Sequence, residues 1–441
     1  MIIRGKAYIY NKYIKEVDIL IDETLGKIVN IKSAGYFNGD NVYDYSGKDK
    51  VILPGLIDIH VHLRDLEYSY KEDYLTGTAA AAAGGFTLVC DMPNTQPKTN
   101  TLENLMLKLR EAEHKALIDY GVYYGLPEEF LNLDKAAKYI VGFKLYPDDI
   151  FKDNDTLLKL FRYSHKYRLV IVLHAEDPRL FHSNVKPGFE RPPESEYSAI
   201  DYILSKLRCS KEGYRSLKLH FTHISSAIGA GLLIKAKHEL GPGVSISIDT
   251  APHYLLLDNH MYNINSSLYK VYPTLKTKFD NLFLYHAVRT RLIDIIASDH
   301  APHALHEKLK PYDEASPGYP SLEVSFSLLA TMMNMGLLSV GDIVRLYSYN
   351  PARLLGISSL YGVIKREAYA SLTVVDLKKK WVVDSHKFFS KAKYSPYNSW
   401  ELVGKPIATF IRGMLVYEDG NINYDLKGFG KNVRETARFE D

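Results

Sequence analysis

Cysteine and glutamine are nearly missing from this sequence of 441 residues, which contains only Cys90, Cys209 and Gln96 of these two types. Two cysteines do not supply the disulfide framework of a small secreted protein, so a reducing compartment, the cytoplasm, is expected. Cys90 stands in the apolar run FTLVCDM and is predicted to be a small buried side chain. Scarcity of Gln and Cys is one mark of proteins from hot environments, although asparagine is not scarce here.

The sequence also lacks long apolar runs and a strong charge of either sign. No run approaches the length of a membrane helix, and the N-terminus has neither the apolar core nor the small-residue cleavage site of a secretory signal. The net charge is only +3 and basic runs such as 378–380 are short, which argues against nucleic acid as a partner. A soluble, intracellular protein is therefore expected.

Apolar β runs alternate with helical segments through the middle of the chain. Eight such runs cover residues 51–64, 86–92, 118–126, 140–146, 168–176, 217–224, 244–251 and 292–301. Helical periodicity fills the gaps, for example over 101–117, 128–139, 154–167 and 228–240. This alternation predicts an α/β fold, a (β/α)8 TIM barrel with its active site at the C-terminal ends of the strands. An open doubly wound sheet is less favoured because no glycine-rich phosphate loop follows an early strand.

Short alternating strands occupy both ends of the chain. At the start they are IIRGKAYIY, VDILID and GKIVNI, and at the end ASLTVVDL and IATFIRGMLVYEDG. The two ends are predicted to combine into one small β-sandwich domain. The predicted boundaries are residues 1–52 for its N-terminal part, 53–358 for the TIM barrel, and 359–441 for its C-terminal part and tail.

Polar side chains interrupt the apolar runs near their C-terminal ends. His60 and His62 stand at positions i and i+2 of the first run, so both rings face the same side of the strand. Other runs end with Lys144, His174, His223 and Asp299. Because barrel strands end at one rim, these side chains are expected to meet, with the donor types of a site for two divalent metals. Lys144 fits only if burial deprotonates it and CO₂ converts it into a bridging carbamate.

Each residue also has an ordinary structural interpretation. Lys144 alone fits a strand-end ion pair, and His174 or His223 alone fits a core histidine. Strand parity directs His220, which lies three residues before His223, to the opposite face. A structural role is therefore predicted for His220. The same argument places Asp299 and His300 on opposite faces. His182 and His253 have no such strand-end support and are predicted to be structural or surface residues.

The motifs HVHLR, DMPNT, GFKLY, VLHAE, THISSA and ASDHAPH, followed by GYPSLE and NPARLLGI, resemble the dihydroorotases of the amidohydrolase superfamily. The resemblance runs in order through essentially the whole chain. It implies a metal-dependent TIM barrel with a composite β-sandwich. It also implies two metals, usually zinc: His60, His62 and Asp299 on the buried one, His174 and His223 on the more exposed one, and carboxylated Lys144 between them.

The resemblance further implies the reversible cyclisation of N-carbamoyl-L-aspartate to dihydroorotate in pyrimidine biosynthesis, with Asp299 as both ligand and acid/base. Arg64, Asn94 and His303 match the residues with which the family binds the substrate carboxylate. By themselves, Arg64 also fits a surface ion pair, Asn94 a turn and His303 a loop position. The segment 272–276 reads YPTLK where the family often has NPPLR, so no ring contact is predicted from Tyr272 or Lys276.

Two other functions stay open from the sequence. Dihydropyrimidinases and allantoinases also hydrolyse cyclic amides, but their substrates lack the carboxylate that Arg64 would bind. A non-catalytic relative serving as an assembly partner would typically lose metal ligands, and none of the six positions is lost here. Homo-oligomer formation and association with aspartate transcarbamoylase, known for some relatives, are further expectations from the resemblance.

Overall fold

Two sheets organise the protein, whose computed structural model describes residues 1–9, 13–209, 216–240 and 243–436. The strands are β1 (Ile2–Ile9), β2 (Tyr13–Asp22), β3 (Lys27–Ser33), β4 (Val42–Asp44), β5 (Lys50–Pro54), β6 (Leu56–Val61), β7 (Phe86–Asp91), β8 (Asp119–Tyr124), β9 (Gly142–Leu145), β10 (Val170–Leu173), β11 (Leu217–Phe221), β12 (Val244–Thr250), β13 (Ile295–Ile296), β14 (Leu372–Val382), β15 (Glu401–Ile411), β16 (Met414–Glu418) and β17 (Asn421–Ile422). The strands in the middle of the chain form one sheet, and those from its two ends form the other.

Helices connect the central strands. They are α1 (Tyr74–Ala83), α2 (Leu102–Lys115), α3 (Leu133–Ala136), α4 (Pro147–Ile150), α5 (Asn154–Tyr167), α6 (Pro193–Cys209), α7 (Ala227–Glu239), α8 (Pro252–Leu256), α9 (Tyr262–Tyr269), α10 (Lys278–Arg289), α11 (Leu305–Lys308), α12 (Leu322–Asn334), α13 (Val340–Val344), α14 (Asn350–Leu355) and α15 (Val433–Thr436). The helix predicted over 128–139 is much shorter, because Asn132 adopts a left-handed conformation (φ 64°) and α3 begins only after it. In the described part of the chain, none of the helices combines the length and apolar character needed to cross a membrane.

The central sheet is a TIM barrel. Strands β6 to β13 neighbour one another in sequence order and pair in parallel, and a bridge between Val61 and His300 links the last strand region to the first. The His62 amide donates to the His300 carbonyl at 2.8 Å across the same junction. β6 to β10 are buried along their whole length, which explains why these parallel strands appear as continuous apolar runs. The predicted barrel is thereby confirmed.

The first predicted strand, 51–64, is two strands that belong to different sheets. β5 pairs with β1 and β14, whereas β6 pairs with β7 in the barrel. Gly55 separates them, and a Cβ there would lie 2.2 Å from Thr87 Oγ1 and 2.8 Å from the Ser371 carbonyl oxygen. Only glycine allows this close approach. The prediction of one continuous strand is wrong because both halves are apolar and periodicity does not reveal the break.

The second sheet joins both ends of the chain. Its order is β17-β16-β15-β14-β5-β1-β2-β3, with β4 beside β1, and the antiparallel β14–β5 pair forms the seam between the two ends. Residues from distant strands of this sheet pack in one core, among them Ile3, Ile19, Ile52, Val374 and Phe410. The sheet therefore folds over a core of its own, as the predicted β-sandwich requires. The exact domain boundaries stay a prediction.

Candidate metal centre and active site

Six polar side chains predicted from the sequence lie together at the C-terminal rim of the barrel. They are His60 on β6, His62 just beyond it, Lys144 on β9, His174 after β10, His223 after β11 and Asp299 after β13. All six are buried, and they line one cavity of about 310 Å³. The strand-end pattern in the sequence thus corresponds to a real cluster in space.

Three of these side chains converge with the spacing of metal ligands. The Nε2 atoms of His60 and His62 lie 3.4 and 3.6 Å from Asp299 Oδ1. A tetrahedral zinc site with bonds of about 2.0–2.2 Å places its ligand atoms about 3.3–3.6 Å apart, so this arrangement fits one such ion. Two further imidazoles line the same cavity, those of His174 and His223, whose ring centroids lie 4.3 Å apart.

Hydrogen bonds orient the two histidines of the first strand. His60 Nδ1 lies 2.5 Å from Thr222 Oγ1, and His62 Nδ1 lies 2.7 Å from Asn94 Oδ1. Because each Nδ1 is engaged, each Nε2 is left to face Asp299. Partners of this kind fix the tautomer and ring orientation of metal-binding histidines.

A buried network behind the rim contains residues that the sequence did not single out as functional. The Thr222 hydroxyl donates to Asp249 at 3.0 Å, and Asp249 also pairs with His220 at 2.7 Å. The same carboxylate accepts the His223 amide. His220 is not among the residues that line the cavity, but through Asp249 it belongs to the network that orients His60.

His174 is held by a second set of partners. Its Nε2 lies 2.7 Å from Glu176, and Arg191 donates to the same carboxylate at 2.6 Å. Burial raises the pKa of Glu176, but the Arg191 charge and the His174 hydrogen bond outweigh it and bring that pKa to about 2. Arg191 also stacks on the ring of Tyr272, 3.7 Å from its centroid. Sequence reasoning missed this set, and the one signal for it is Glu176 in VLHAE, because a buried carboxylate at the barrel rim requires a cationic partner.

The Lys144 amine is buried in the cavity wall. Its Nζ is buried, makes no hydrogen bond within the described residues, and lies 5.4 Å from the centroid of the Tyr146 ring. Burial lowers the pKa of Lys144, although the charge of Asp299 partly opposes this. Burial likewise raises the pKa of Asp299, and Lys144 partly opposes it. Carbamate formation requires an amine that can lose its proton, and the buried Nζ of Lys144, with a lowered pKa and no hydrogen-bond partner among the described residues, meets this requirement, so the donor set fits a two-metal centre.

The predicted substrate residues line the same cavity. Arg64 is buried, its Nε donates to the Pro302 carbonyl at 3.1 Å, and its second terminal nitrogen lies 3.1 Å from His303 Nε2. Asp65 instead pairs with Lys115 at 2.9 Å, so Arg64 is not in the surface ion pair that its sequence also allowed. Backbone φ is positive at Arg64 (59°), His223 (44°) and Asp299 (49°), and such conformations cluster at functional sites.

A buried ion pair supports the strand ends that carry Arg64 and Asn94. Lys108 lies 2.7 Å from Asp91, and both side chains are fully buried. Asp91 accepts the amide of Leu63 at 2.8 Å, and Lys108 donates to the carbonyl of Met92 at 2.5 Å. The pair therefore ties the residue before Arg64 to the segment that leads to Asn94.

Removal of the Lys108 charge should destabilise the protein. Lys108→Met leaves Asp91 buried without its cation, and we expect the free energy of unfolding to fall by about 3 kcal/mol. Urea unfolding measures the change. Lys235→Met is the matched control, because Lys235 is exposed and pairs with Glu239 at 3.5 Å on the surface of α7, which contributes about 0.5 kcal/mol or less. Equal effects of the two substitutions would contradict a supporting role for the buried pair.

Comparison with known proteins assigns the class first. Residues 51–416 match the sequence profile of the amidohydrolase family. The chain therefore belongs to that family, and metal binding at the rim follows from the family and from the cluster of His60, His62 and Asp299.

Within the family, the chain belongs with the dihydroorotases. It is 33% identical over 433 residues to the dihydroorotase of Saccharolobus solfataricus, covering 98% of each chain. It is 35% identical over 426 residues to the dihydroorotase of Pyrococcus abyssi, covering 96% of each. The dihydroorotase of Pyrococcus horikoshii is 37% identical over 378 residues, 85% of this chain and 83% of that one.

Solved structures share the fold over nearly the whole chain. The L-hydantoinase (dihydropyrimidinase) of Arthrobacter aurescens has a TM-score of 0.87 at 27% identity, covering 97% of this chain and 98% of that one. The dihydropyrimidinase of Brevibacillus agri has a TM-score of 0.86 at 21% identity, covering 100% and 99%. These similarities confirm the barrel with its terminal sheet. The sequence identity of the chain to these two enzymes is lower than its identity to the dihydroorotases.

Proposed function

We propose that this protein is a dihydroorotase, a cyclic amide hydrolase that catalyses the reversible cyclisation of N-carbamoyl-L-aspartate to dihydroorotate plus water in pyrimidine biosynthesis. The observation that carries the proposal is one cavity in which the proposed metal ligands and the guanidinium of Arg64 lie together. The similarity to dihydroorotases over up to 98% of the chain supports the same reaction.

Two Zn²⁺ ions per subunit would be held by His60, His62, Lys144 as its carbamate, His174, His223 and Asp299. When bound, they supply Lewis-acid activation of water and of the amide carbonyl. The side chains of the protein do the remaining work. The buried amine of Lys144 provides the position for a bridging anion, and the bonded histidines keep their donor atoms aimed at the rim.

Asp299 moves the proton. In the hydrolytic direction its carboxylate accepts the proton of the attacking water and delivers it to the ring nitrogen as the amide bond breaks. In the synthetic direction it removes a proton from the carbamoyl nitrogen as that nitrogen attacks the carboxyl carbon. Burial raises the pKa of Asp299, which brings its proton affinity closer to that needed for transfer near neutral pH.

Arg64, Asn94 and His303 hold the substrate carboxylate that lies away from the reacting amide. A buried guanidinium gives a charge-assisted and directional bond to such a group. The alternative function, hydrolysis of another cyclic amide by a dihydropyrimidinase or allantoinase, is favoured by the structural similarity to the Arthrobacter aurescens enzyme. Arg64 distinguishes the dihydroorotase reaction from this alternative, since dihydrouracil and allantoin lack the carboxylate that Arg64 would bind.

Substitution of Arg64 tests substrate identity. Arg64→Met keeps much of the side-chain length but removes the charge and every donor, so kcat/KM for dihydroorotate should fall by about 10- to 100-fold, the loss of a charge-assisted pair of about 1.5–3 kcal/mol. Hydrolysis of dihydrouracil, which has the same ring without the carboxylate, should be unchanged or improved. Steady-state kinetics with both substrates measures the contrast.

The exposed Arg208, which pairs with Glu239 at 3.1 Å, is the matched control, and Arg208→Met should leave both substrates unaffected. If Arg64→Met lowered kcat/KM equally for dihydroorotate and dihydrouracil, Arg64 would support the metal centre or the fold and not the substrate carboxylate. Dihydroorotate specificity would then need another explanation.

We also propose a cytoplasmic location. The thiols support it, because Cys90 and Cys209 are both free, Cys90 buried and Cys209 exposed, and a reducing compartment keeps an exposed thiol intact. Homo-oligomer formation and association with aspartate transcarbamoylase stay predictions from the family resemblance.

A further inference from the structure

The chain between β14 and β15 leaves the terminal sheet and reaches the barrel rim. We call residues 383–400, which connect these strands, the rim segment. Its side chains Phe388, Ser390, Ala392, Tyr394 and Tyr397 are buried. The segment stays in contact with its own sheet, where Phe389 packs on Tyr417 of β16, and it also reaches residues of the cavity wall.

Tyr394 connects the rim segment to the carboxylate-binding residues. Its hydroxyl accepts the amide of His303 at 3.1 Å and lies within donating distance, 3.4 Å, of the Gly318 carbonyl. His303 and Gly318 both line the substrate cavity. One buried hydroxyl therefore fixes two separate stretches of the cavity wall.

The same stretch of wall contains the contact to Arg64. His303 Nε2 lies 3.1 Å from the Arg64 guanidinium and 3.0 Å from the carbonyl of Pro317. A displacement of the His303 backbone would move the ring that lies against Arg64. The position of the carboxylate-binding pair thus depends on a residue 91 positions further along the chain.

Further bonds anchor the rim segment to the loop that follows Arg64. The Ser390 hydroxyl donates to Glu72. Lys391 donates to Asp73 and to the Ser69 carbonyl, both at 2.6 Å. The segment therefore contacts the loops after the first and the last barrel strands, which supply Arg64 and His303.

We propose that Tyr394 is a positioning residue for the substrate carboxylate, and that the rim segment completes this half of the active site. The inference rests on the proposed function, because it assigns a role toward the carboxylate of dihydroorotate. Tyr394 holds His303 against Arg64, and its polar and cation–π contacts within the described residues go to His303, Gly318 and Lys308 rather than to a proposed metal ligand. Its loss should therefore weaken binding of the carboxylate and leave the reacting half of the site intact.

Tyr394→Phe tests this role. The change removes one oxygen and leaves the buried His303 amide without an acceptor, so we expect KM for dihydroorotate to rise by about 5- to 50-fold while kcat changes by less than about threefold. Hydrolysis of dihydrouracil at high enzyme concentration should stay within about twofold of the unaltered protein, since that substrate has no carboxylate. Metal content should be unchanged.

Tyr397→Phe is the matched control. Tyr397 is buried on the same segment and packs on Trp400, with 5.2 Å between the ring centroids. It should behave like the unaltered protein on both substrates. If Tyr397→Phe raised KM as much as Tyr394→Phe, the effect would come from general packing of the rim segment, and the proposal would be overturned.

A second variant covers the case in which Tyr394→Phe does not fold. Ser390→Ala keeps the tyrosine and removes the bond to Glu72, and it should raise KM for dihydroorotate in the same direction by about 2- to 10-fold. Unchanged KM in the folded variants would overturn the inference while the proposed function stands. Parallel losses on dihydrouracil would also overturn it. An unaltered protein without activity on dihydroorotate would instead contradict the proposed function, and this inference with it.

Discussion

Asp299→Asn should lower kcat for dihydroorotate by about 10³-fold, the scale of losing a general acid/base, while KM changes by less than about tenfold. Asparagine keeps the shape of the side chain and one oxygen, but it cannot accept and return a proton at neutral pH. Steady-state kinetics in both directions measures the effect, because the same carboxylate is required for hydrolysis and synthesis.

Metal analysis must accompany this measurement, since Asp299 lies 3.4 and 3.6 Å from the two histidine nitrogens and is a proposed ligand. Loss of turnover with metal retained assigns the defect to proton transfer. Asp313→Asn, an exposed substitution outside the cavity, should leave kcat unchanged. Near-normal turnover in Asp299→Asn would assign the proton transfer to another group.

Lys144→Ala should lose both the metals and the activity. The purified protein is expected to contain about two divalent ions per chain, and the variant should retain few of them, with kcat/KM reduced by at least about 10³-fold. The reason is that two other carboxylates near the rim are already engaged, Asp299 beside His60 and His62 and Glu176 with Arg191, which leaves Lys144 as the position for a bridging anion. Elemental analysis of the purified variant measures the loss.

Acetate provides the control for this second result. A small carboxylate can enter the space vacated by the Lys144 side chain and supply the two missing oxygens. Added acetate should therefore restore part of the metal content and activity of Lys144→Ala and have no effect on the unaltered protein. Full metal occupancy in Lys144→Ala without acetate would remove the carbamate from the mechanism.

The sequence predicted the barrel well because its signals are local. Each buried strand is a short apolar run, and each helix has its own periodicity and ends, as at α1, where Asp73 caps the start and Gly84 follows the end. The division of 51–64 at Gly55 was missed because it depends on Thr87 and Ser371, which approach from other parts of the chain. No local pattern contains that information.

The candidate ligands of the site could also be predicted from local sequence features, but the residues that support them could not. The position of the six candidate ligands at strand ends predicted that they would lie together, and a parity argument placed His220 on the opposite face from His223. It did not reveal that His220 supports the centre through Asp249, 29 residues away. The pairing of Glu176 with Arg191 and the reach of Tyr394 to His303 were missed for the same reason, since these contacts join residues that are distant in sequence.

A side-by-side assay of ring opening tests the central claim most directly. Equal concentrations of the purified, metal-containing protein are given dihydroorotate, dihydrouracil and allantoin, and hydrolysis is followed by ultraviolet absorbance or product analysis. The proposal predicts that kcat/KM for dihydroorotate exceeds that for either other substrate by at least about 10²-fold, because only dihydroorotate presents a carboxylate to Arg64. Faster hydrolysis of dihydrouracil or allantoin would contradict it.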